Sequence, residues 1–356
     1  MFAYGDEVRG TYRVEDHIGA GAFGDVYLVR HRYMGMQAMK VLGRSASEED
    51  LKTGLNEAFM LSRLSHPNIV RVYEANHVKE DPTSSLYVTM EYINGDTLRE
   101  LIDDRGGSIE IGLALSLLRD AASGLAHAHG CDPQVIHRDI RPENLLIRND
   151  ADRPILLIGD FGMSGPINKS FGFLDRAGAV IYESPEGLDG YEGPRSDVFS
   201  LGLVFYELLT GVFPYPRSLI FDSSSSESLI GKLKEAQQAG FREAVYFRSS
   251  IPIELSAVLE VMVSIELEDR FTSGTHLLQV LDLVARCQGY GQQDLSEISS
   301  HMKTKAHDLL VSGMRKLFTS SDPGNCDSPF AEAASIHPLF ADRFQPFVEH
   351  AKMEKE

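Results

Sequence analysis

The segment HRDIRPEN at residues 137–144 decides the fold, together with the sequence DFG at residues 160–162. The first segment follows a long helical pattern at Ile111–His129, and its charged residues lie in a predicted loop. The second comes shortly after an apolar run at Ile155–Ile158, which indicates a short buried strand. Charged side chains in these places are candidates for chemistry, because packing alone gives no reason for them.

A second informative stretch is glycine-rich and reads GAGAFGDV at residues 19–26. Glycines at these spacings let backbone N–H groups approach phosphate oxygens without interference from a Cβ atom. The pattern alone is weak, since any strand–turn–strand unit can use glycine. A strand is predicted to follow at Asp25–Arg30, whereas a dinucleotide-binding fold requires a helix there. We therefore interpret the stretch as a nucleotide lid between two strands.

Lys40 lies in a predicted strand, Gln37–Leu42, that is otherwise rich in apolar residues. A lysine that faces inward from such a strand needs a compensating anion. Glu57 can supply one carboxylate from the middle of a predicted helix at Glu48–Leu64, and nucleotide phosphates can supply the rest. The alternative is an exposed lysine on an edge strand with a solvated glutamate, and Lys40 taken alone favours that alternative.

These segments, in this order, resemble the protein kinase family over about residues 12–286. Downstream, the sequence SPE at residues 184–186 resembles the family's Ala-Pro-Glu. The sequence DVFSLG at residues 197–202 resembles its buried helix, and Arg270 lies where the family places a closing arginine. Because so many features occur in the family's order, the chain is identified as a member of the eukaryotic-like (Hanks-type) serine/threonine protein kinases.

The resemblance implies an α+β fold of two lobes. The kinase domain is expected at residues 12–286, with a small β-rich N-lobe at 12–93 and a larger helical C-lobe at 94–286. A helical tail is expected at residues 287–356. The remaining predicted elements are strands at Tyr12–Ile18, Ile69–Ala75 and Ser85–Tyr92 and helices at Asp197–Leu209 and Ile253–Ile265.

The resemblance also implies the chemistry, which is transfer of a phosphoryl group from ATP. Such a reaction leaves little covalent work for the protein and needs an aligned acceptor oxygen and neutralised phosphate charge. Asp139 would orient the acceptor hydroxyl and receive its proton, and Arg141 would approach the γ-phosphate. Asn144 and Asp160 would hold Mg²⁺, a hard cation that prefers oxygen ligands. The implied catalytic set is Lys40, Glu57, Asp139, Arg141, Asn144 and Asp160.

The implied ATP site lies between the lobes. Lys40 would steady the α- and β-phosphates, with Glu57 holding the lysine in place, and Met90 matches the gatekeeper position behind the adenine. Leu61, His137 and Phe161 match a stacked apolar spine. The residues expected to contact ATP are Ile18, Gly19, Ala20, Gly21, Ala22, Phe23, Gly24, Asp25, Val26, Ala38, Lys40, Met90, Glu91, Ile93 and Leu146.

Two positions depart from the pattern of the family's serine/threonine members. Arg141 stands where those members usually carry lysine, and Ala179 stands where they usually carry threonine. Arginine keeps the positive charge, but its planar fork is not equivalent to an ammonium. Alanine makes no side-chain hydrogen bond. These changes bear on acceptor preference and turnover, and they remove no ligand of ATP or of the metal.

Arg138 precedes Asp139, which in the family often marks control by phosphorylation of the activation segment. An arginine in that place can pair with a phosphate. The segment offers Ser164 and Ser170 as acceptors, which gives a hypothesis of phosphorylation-dependent regulation.

The leading hypothesis for function is an active kinase that phosphorylates serine or threonine of proteins, including itself. Tyrosine is disfavoured, because residues 139–144 lack the alanine–arginine arrangement of tyrosine-specific members. The alternative is a weakly active or inactive kinase-like scaffold that binds ATP. A small-molecule phosphotransferase is less favoured, since such enzymes lack the elements at 184–186 and Asp197.

Composition limits the partners and the location. The chain has 356 residues and a formal net charge of −18, which argues against binding nucleic acid or an anionic membrane. The N-terminus has no signal-peptide pattern, the apolar segment Val198–Phe213 is too short to span a bilayer, and the three scattered cysteines suit a reducing compartment. We therefore expect a cytoplasmic protein.

The tail is predicted to contain one amphipathic helix. Its apolar stripe packs on the main domain, or else it binds a partner or dimerises, and the sequence leaves these alternatives open. A loop is predicted at Thr319–Pro329, followed by one short final helix. The stripe consists of Leu295, Ile298, Met302, Ala306, Leu309, Gly313 and Leu317.

Overall fold

A computed structural model describes eleven segments of the chain, which together form a β-rich lobe and a helical lobe, and it confirms the predicted α+β fold. The described segments are 2–21, 24–42, 62–80, 83–105, 109–150, 152–161, 180–215, 226–241, 243–288, 298–319 and 327–354.

The N-lobe contains a six-stranded antiparallel sheet in the order β1-β2-β3-β4-β6-β5. Successive side chains of a strand point to opposite faces. On β4, Met39 packs into a cluster on one face, whereas Ala38 packs into a cluster on the other. The strands are β1 (Glu7–Val8), β2 (Tyr12–Gly21), β3 (Gly24–His31), β4 (Gly35–Leu42), β5 (Val72–Glu80) and β6 (Thr83–Glu91).

A three-stranded sheet and several helices form the C-lobe. The small sheet, β7-β8-β9, carries the residues before and after the HRD loop. Helix α3 is buried along almost its whole length, as the apolar segment Val198–Phe213 predicted. The elements are β7 (Gly95–Thr97), α1 (Leu98–Arg105), α2 (Ile111–His129), β8 (Leu145–Asn149), β9 (Pro154–Ile158), α3 (Pro194–Thr210), α4 (Ser226–Gln238), α5 (Ala244–Phe247), α6 (Ile253–Met262) and α7 (Gly274–Gln288).

Several predicted boundaries were wrong. β5 begins at Val72 rather than Ile69, because Ile69 instead forms an isolated parallel bridge with Ile158 of β9. Helix α6 ends at Met262, three residues before the predicted end, where Val263 leaves helical geometry. Most of the predicted helix at Glu48–Leu64 lies outside the described residues.

The described part of the tail, residues 298–319 and 327–354, contains four helices, whereas two were predicted. They are α8 (Ser300–Phe318), α9 (Asp327–Ser335), α10 (Pro338–Arg343) and α11 (Gln345–Met353). Helix α9 begins inside the predicted loop at Thr319–Pro329, and the single final helix is divided at Phe344. No helix within the described segments has the length and apolar character needed to cross a membrane.

The residues predicted to form the apolar stripe of α8 were only partly correct. Ala306, Gly313 and Leu317 are buried as predicted, but Met302 is 36% exposed. Leu310 and Met314 are fully buried in its place, because α8 lies between α6 and α9. The stripe therefore packs on the main domain, which is the first of the alternatives considered.

Gly313 marks the closest approach of α8 to α9. A Cβ atom on Gly313 would lie 2.6 Å from the ring of Phe330, which is itself fully buried. We expect Gly313→Ala to lower the free energy of unfolding by about 1–3 kcal/mol, because a packed core resists an added methyl group. Urea denaturation of the whole chain measures the change.

Gly231 in α4 is the matched control for this substitution. It is also a mid-helix glycine, but nothing lies within 4 Å of a Cβ atom built on it. Gly231→Ala should therefore stabilise the protein by about 0.5–1 kcal/mol, through helix propensity alone. Equal effects at the two positions would contradict the close contact of α8 with Phe330.

Candidate active site

The cleft between the lobes brings together a lysine and an aspartate that are far apart in sequence. The Lys40 Nζ atom donates to Oδ2 of Asp160 at 2.7 Å, and the Lys40 side chain is almost fully buried. Burial alone would raise the pKa of the Asp160 carboxyl, but the Lys40 ammonium lowers it below its usual value. Asp160 has φ +55°, a rarely populated conformation for a residue other than glycine. The inward-facing lysine predicted from the sequence thus has an anion beside it.

A second pair lies within the HRD loop. The Asn144 amide Nδ2 donates to the backbone oxygen of Asp139 at 2.8 Å and to its Oδ2 atom at 2.9 Å. The Nε atom of Arg141 lies 3.7 Å from the same carboxylate. Burial raises the pKa of Asp139 despite the opposing effects of Arg141, His137 and the Asn144 hydrogen bond. A carboxyl group whose affinity for a proton is increased is suited to accept one.

Asp197 supports the HRD loop from beneath. Its carboxylate accepts the backbone N–H groups of His137 at 2.8 Å and Arg138 at 2.9 Å. Burial alone would raise the Asp197 pKa, but its hydrogen bonds, with His129 first among them, lower it. Asp197 thus holds the backbone of the loop that contains Asp139.

His129 is a supporting residue that the sequence reasoning missed. Its Nε2 atom lies 2.9 Å from Oδ2 of Asp197, and its Nδ1 atom accepts the backbone N–H of Gly274 at 3.1 Å. Since Nδ1 accepts, the ring proton is on Nε2 and donates to Asp197. A Cβ atom on Gly274 would collide with Ala126 and Leu125 of α2. The position of His129 in the last turn of a long apolar helix was the available clue.

His137 connects the HRD loop to the DFG segment. Its Nε2 atom donates to the carbonyl oxygen of Gly159 at 2.7 Å, and its Nδ1 atom accepts the Asp139 N–H at 3.2 Å. Its ring packs edge-on against Phe161 with centroids 4.6 Å apart. His137 and Phe161 are therefore in contact, as expected of the predicted spine, and Leu61 lies outside the described residues.

Five residues that were predicted to contact ATP share one apolar cluster. Ala38, Met90 and Ile93 are buried in it, and Val26 and Leu146 pack against it while partly exposed. This cluster lies on the face of the N-lobe sheet that meets the C-lobe. It is an apolar surface with partly open edges, which is what a planar ligand requires.

The backbone next to this cluster is continuous with β6. The N–H of Glu91 donates to the carbonyl oxygen of Arg71 at 2.8 Å, and the Glu91 carboxylate accepts from Arg148 at 3.2 Å. The Glu91 side chain is thus held by the C-lobe, at the end of β6, where the chain passes from the N-lobe expected at residues 12–93 to the C-lobe expected at 94–286.

The glycine-rich stretch forms the end of the β2–β3 hairpin. Gly19 pairs with Val26, Ala20 with Asp25 and Gly21 with Gly24, so a strand follows the glycines as predicted. Gly24 has φ +124°, and a Cβ atom there would collide with the carbonyl oxygen of Val41. Glycine is therefore required at position 24. Ile18 is 43% exposed at the edge of this hairpin.

Several predicted site residues lie outside the described residues. These include Glu57, so its proposed contact with Lys40 stays a prediction. The departure at Ala179 and the candidate acceptors Ser164 and Ser170 also fall there. The remaining two are Ala22 and Phe23.

Glu186 and Arg270 form a buried ion pair. The guanidinium donates to both carboxylate oxygens, at 2.7 and 2.9 Å, and Arg270 is fully buried against the ring of Phe199. Burial alone would raise the Glu186 pKa, but Arg270 lowers it. Ser196 donates to the same carboxylate at 2.7 Å. Arg270, which lies where the family places a closing arginine, thus fixes the segment that follows the active site through this pair.

Arg138 also has a protein partner. Its Nε atom lies 3.2 Å from the carboxylate of Glu192, just before α3. Arg138 has φ +69°, so the HRD loop carries an uncommon backbone conformation beside Asp139. Pairing of Arg138 with a phosphate stays a hypothesis, because residues 162–179, which include the candidate acceptors, lie outside the described residues.

Glu183 gives a prediction on pH dependence. Burial raises the pKa of Glu183 to about 8 from the ordinary value of 4.5, and Glu192 and Asp139 add to the rise. The folded state therefore favours the protonated carboxyl. The contribution of Glu183 to the free energy of unfolding is fully present below pH 4.5 and is lost as pH rises through about 8. We expect Glu183→Gln to flatten this part of the profile in urea denaturation from pH 5 to 9.

The exposed Glu235 of α4 provides the control substitution, Glu235→Gln, which should leave the profile as it is in the wild type. A Glu183→Gln profile that fell as steeply as the wild-type profile would show that Glu183 is not held in its protonated form.

The fold and the cleft define the protein kinase class: a strand lysine meets an aspartate of the opposite lobe, beside an HRD loop held by a buried aspartate. The family model described as the protein kinase domain matches residues 12–281. The chain belongs to the protein kinase family, in its eukaryotic-like serine/threonine group.

Individual relatives agree with this assignment. The chain is 33% identical to the serine/threonine-protein kinase PrkC of Bacillus subtilis over 239 residues, which cover 65% of this chain and 34% of PrkC. It is 32% identical to myosin light chain kinase A of Dictyostelium discoideum over 213 residues, covering 59% of this chain and 70% of that kinase. The chain spans about a third of PrkC and 47% of a similar kinase from Lactococcus lactis.

A solved structure shows the same fold. The PknI kinase domain of Mycobacterium tuberculosis is 25% identical and superposes with a TM-score of 0.59. The match covers 79% of this chain and 99% of that domain.

Two oxygen atoms in the cleft are suited to bind Mg²⁺. Asn144 uses its amide nitrogen on Asp139, so its amide oxygen is the atom that can face a cation. Asp160 holds Lys40 with one carboxylate oxygen, and the second oxygen is the further candidate ligand. An amide oxygen and a carboxylate oxygen are ligands that Mg²⁺ accepts.

Proposed function

We propose that this chain is an active protein kinase that transfers the γ-phosphate of ATP to serine or threonine hydroxyls of proteins, including its own. The observation that carries the proposal is the convergence of two pairs, Lys40 with Asp160 and Asp139 with Asn144. The first pair suits the phosphate end of a nucleotide, and the second suits an acceptor hydroxyl. The names of the similar kinases support the same function.

Each side chain has a part in this reaction. Lys40 binds the α- and β-phosphates as a buried cation, and the apolar cluster around Ala38 and Met90 holds the adenine. Asp139 orients the acceptor hydroxyl and takes up its proton, which its raised pKa favours. Bound at Asn144 and Asp160, Mg²⁺ would supply positive charge to the phosphate oxygens.

Arg141 extends the positive charge toward the transferred group. Its guanidinium lies near the carboxylates of both Asp139 and Glu143, at 3.7 and 3.8 Å. A planar fork can donate to a phosphate oxygen and to Asp139 at the same time. This supports the proposal that arginine replaces the usual lysine without loss of the phosphate contact.

Incubation of the purified chain with labelled ATP, Mg²⁺ and a general protein substrate tests the function. Phosphate incorporation is expected in the wild type, and Lys40→Met should reduce it at least about 100-fold, because the phosphates lose their buried cation. Lys352→Met, at an exposed position of α11, is the control and should retain wild-type activity. Mapping the labelled residues identifies the hydroxyl type.

The alternative function is an ATP-binding scaffold without transfer. The absence of a threonine hydroxyl at Ala179 favours it, whereas the retained Lys40, Asp139 and Asp160 oppose it. ATP binding by calorimetry with no incorporation into any substrate would establish the scaffold and overturn the kinase.

We further propose a kinase domain at residues 12–286 with a helical tail at 287–356, and a cytoplasmic location. The family match to residues 12–281 supports the first boundary. Cys131 and Cys287 are free thiols, which suits a reducing compartment.

A further inference from the structure

Arg138 and Glu192 form an ion pair beside the proposed catalytic aspartate. The Arg138 Nε atom lies 3.2 Å from a carboxylate oxygen of Glu192, and Arg138 immediately precedes Asp139. A phosphate was the partner considered for Arg138 from the sequence. In the structure, a carboxylate of the chain itself contacts this arginine and neutralises it.

Asp197, near the start of α3, fixes the backbone of Arg138. Its carboxylate accepts the Arg138 N–H at 2.9 Å, and the Arg138 backbone has φ +69°. A residue other than glycine keeps this rarely populated conformation only where its surroundings impose it. The direction in which the Arg138 side chain leaves the loop is therefore set by its bond to α3.

The backbone is also bonded on both sides of Glu192. The N–H of Tyr191 donates to the carbonyl oxygen of Glu186 at 3.0 Å. The N–H of Gly193 donates to the Ser196 hydroxyl at 3.1 Å, and this hydroxyl donates in turn to the Glu186 carboxylate at 2.7 Å. Glu192 is therefore presented to the arginine by a segment that other contacts already hold in place.

An ion pair between two such residues differs from an ordinary surface pair. Most exposed pairs contribute little, because ordering two long side chains costs entropy and water screens their attraction. Here the backbone of both partners is ordered by other contacts, and the Glu192 side chain is 29% exposed. Only side-chain torsions remain to be ordered, so the pair can hold the Arg138 guanidinium in one place.

The charge around Glu192 disfavours a phosphate at Arg138. Burial raises the pKa of Glu192, Arg138 lowers it, and the carboxylates of Asp197 and Asp139 raise it further. A phosphate carries about −1.5 to −2 charges at neutral pH and is repelled by neighbouring carboxylates. Phosphorylation would thus bring a further anion to an arginine that Glu192 already neutralises.

The described residues after position 179 are held by the C-lobe. The buried Tyr182 donates its hydroxyl to Glu207 of α3 at 3.0 Å, and Gln237 of α4 donates to the carbonyl oxygen of Glu183 at 2.9 Å. The ion pair of Glu186 described above holds the next turn of the segment. Each contact joins two groups of the unmodified chain, so this segment reaches its position without a modification.

We propose that Glu192 is a positioning residue for phosphoryl transfer. Its carboxylate holds the guanidinium of Arg138 where a phosphate would otherwise be needed, so that the unphosphorylated chain already has Asp139 in its active position. The inference rests on the proposed kinase function and concerns its regulation. Activity is expected without prior phosphorylation of Ser164 or Ser170.

Initial rates of the whole chain in two phosphorylation states test the proposal. One sample is treated with a serine/threonine phosphatase, which is then removed, and a second is incubated with ATP and Mg²⁺ before the assay. Mass spectrometry reports the phosphate content of each. With labelled ATP and a general protein substrate, we expect the two rates to agree within about twofold, with no lag in the treated sample. The double variant Ser164→Ala/Ser170→Ala should behave in the same way.

Glu192→Gln removes the charge and keeps the size of the side chain. We expect the phosphatase-treated variant to lose about tenfold in kcat with an unchanged KM for ATP, because a freed Arg138 lets the neighbouring Asp139 shift. Glu192→Asp keeps the charge and should recover part of the lost rate, which a role in packing alone would not produce. Glu332→Gln is the matched control, since it breaks an exposed ion pair with Lys305 of α8 at 3.3 Å and should retain the wild-type kcat.

Two results would overturn the inference alone. The first is a wild-type rate that rises about tenfold or more on incubation with ATP and does not rise in the double serine variant. The second is a wild-type kcat in phosphatase-treated Glu192→Gln. Absence of transfer by every sample would instead overturn the kinase function and the inference with it. The two wild-type samples decide whether phosphorylation is needed even where a variant does not fold.

Discussion

The Asp139→Asn variant is expected to transfer phosphate about 100- to 10,000-fold more slowly than the wild type, with unchanged affinity for ATP. Asparagine keeps the size of the side chain and the contact with Asn144, but it cannot take up the proton of the acceptor hydroxyl. The groups assigned to ATP are not altered, since Lys40 still meets Asp160. Single-turnover incorporation of labelled phosphate measures the rate, and calorimetry measures ATP affinity.

Asp152→Asn is the control for this variant. Asp152 is exposed on the approach to β9 and touches none of the groups in the cleft, so its activity should equal that of the wild type. If Asp139→Asn retained more than about a tenth of wild-type activity, the assignment of Asp139 as the proton acceptor would be wrong.

The Arg270→Ala variant is expected to lose about 3–5 kcal/mol of the free energy of unfolding. Removal of the guanidinium leaves the Glu186 carboxylate in the protein interior without the cation that donates to both of its oxygens. It also empties the space against the ring of Phe199, where Arg270 is fully buried. Guanidinium or urea denaturation of the whole chain measures the loss, and activity should fall with it, because the segment that follows the active site is no longer held.

An exposed ion pair provides the comparison. Arg119 of α2 lies 2.5 Å from Asp282 of α7, with both side chains about half exposed, so Arg119→Ala should cost at most about 1 kcal/mol. Similar losses in the two variants would mean that the Arg270 pair contributes no more than a surface contact.

The sequence indicated which candidate residues meet in the cleft better than it indicated the residues that support them. Lys40, Asp139, Asn144 and Asp160 could be picked out as candidates because each belongs to a short motif whose spacing along the chain is fixed by one loop or strand. His129 was missed because its role depends on a contact with Asp197 and Gly274 from other helices, which no local pattern records. Supports of this kind are visible only once tertiary packing is known.

The bounds of the helices and strands were likewise predicted well where a local pattern sets them and poorly where a tertiary contact does. The bounds of α2 were predicted correctly from a long periodic pattern with a glycine after its end. β5 was placed too early, because its first apolar residues belong to a bridge with β9 rather than to the N-lobe sheet. The stripe of α8 was shifted, since two neighbouring helices cover a wider face than one stripe describes. In each case a tertiary contact overrode the local pattern.

Two hydrogen bonds link the Gly274 N–H of α7 to His129 and His129 to Asp197, and this link affects how inactivating substitutions should be interpreted. Position 274 is remote from the nucleotide in sequence, yet its backbone N–H sets the tautomer of the histidine that holds the loop of Asp139. A bulkier residue there would push α7 away from α2 and break the hydrogen bond from the backbone N–H of residue 274 to His129. In a saturation mutagenesis screen scored on phosphorylation, substitutions at position 274 would therefore inactivate the protein as substitutions of nucleotide-facing residues do. The cause at position 274 would be displacement of the loop of Asp139 rather than loss of a contact with the nucleotide.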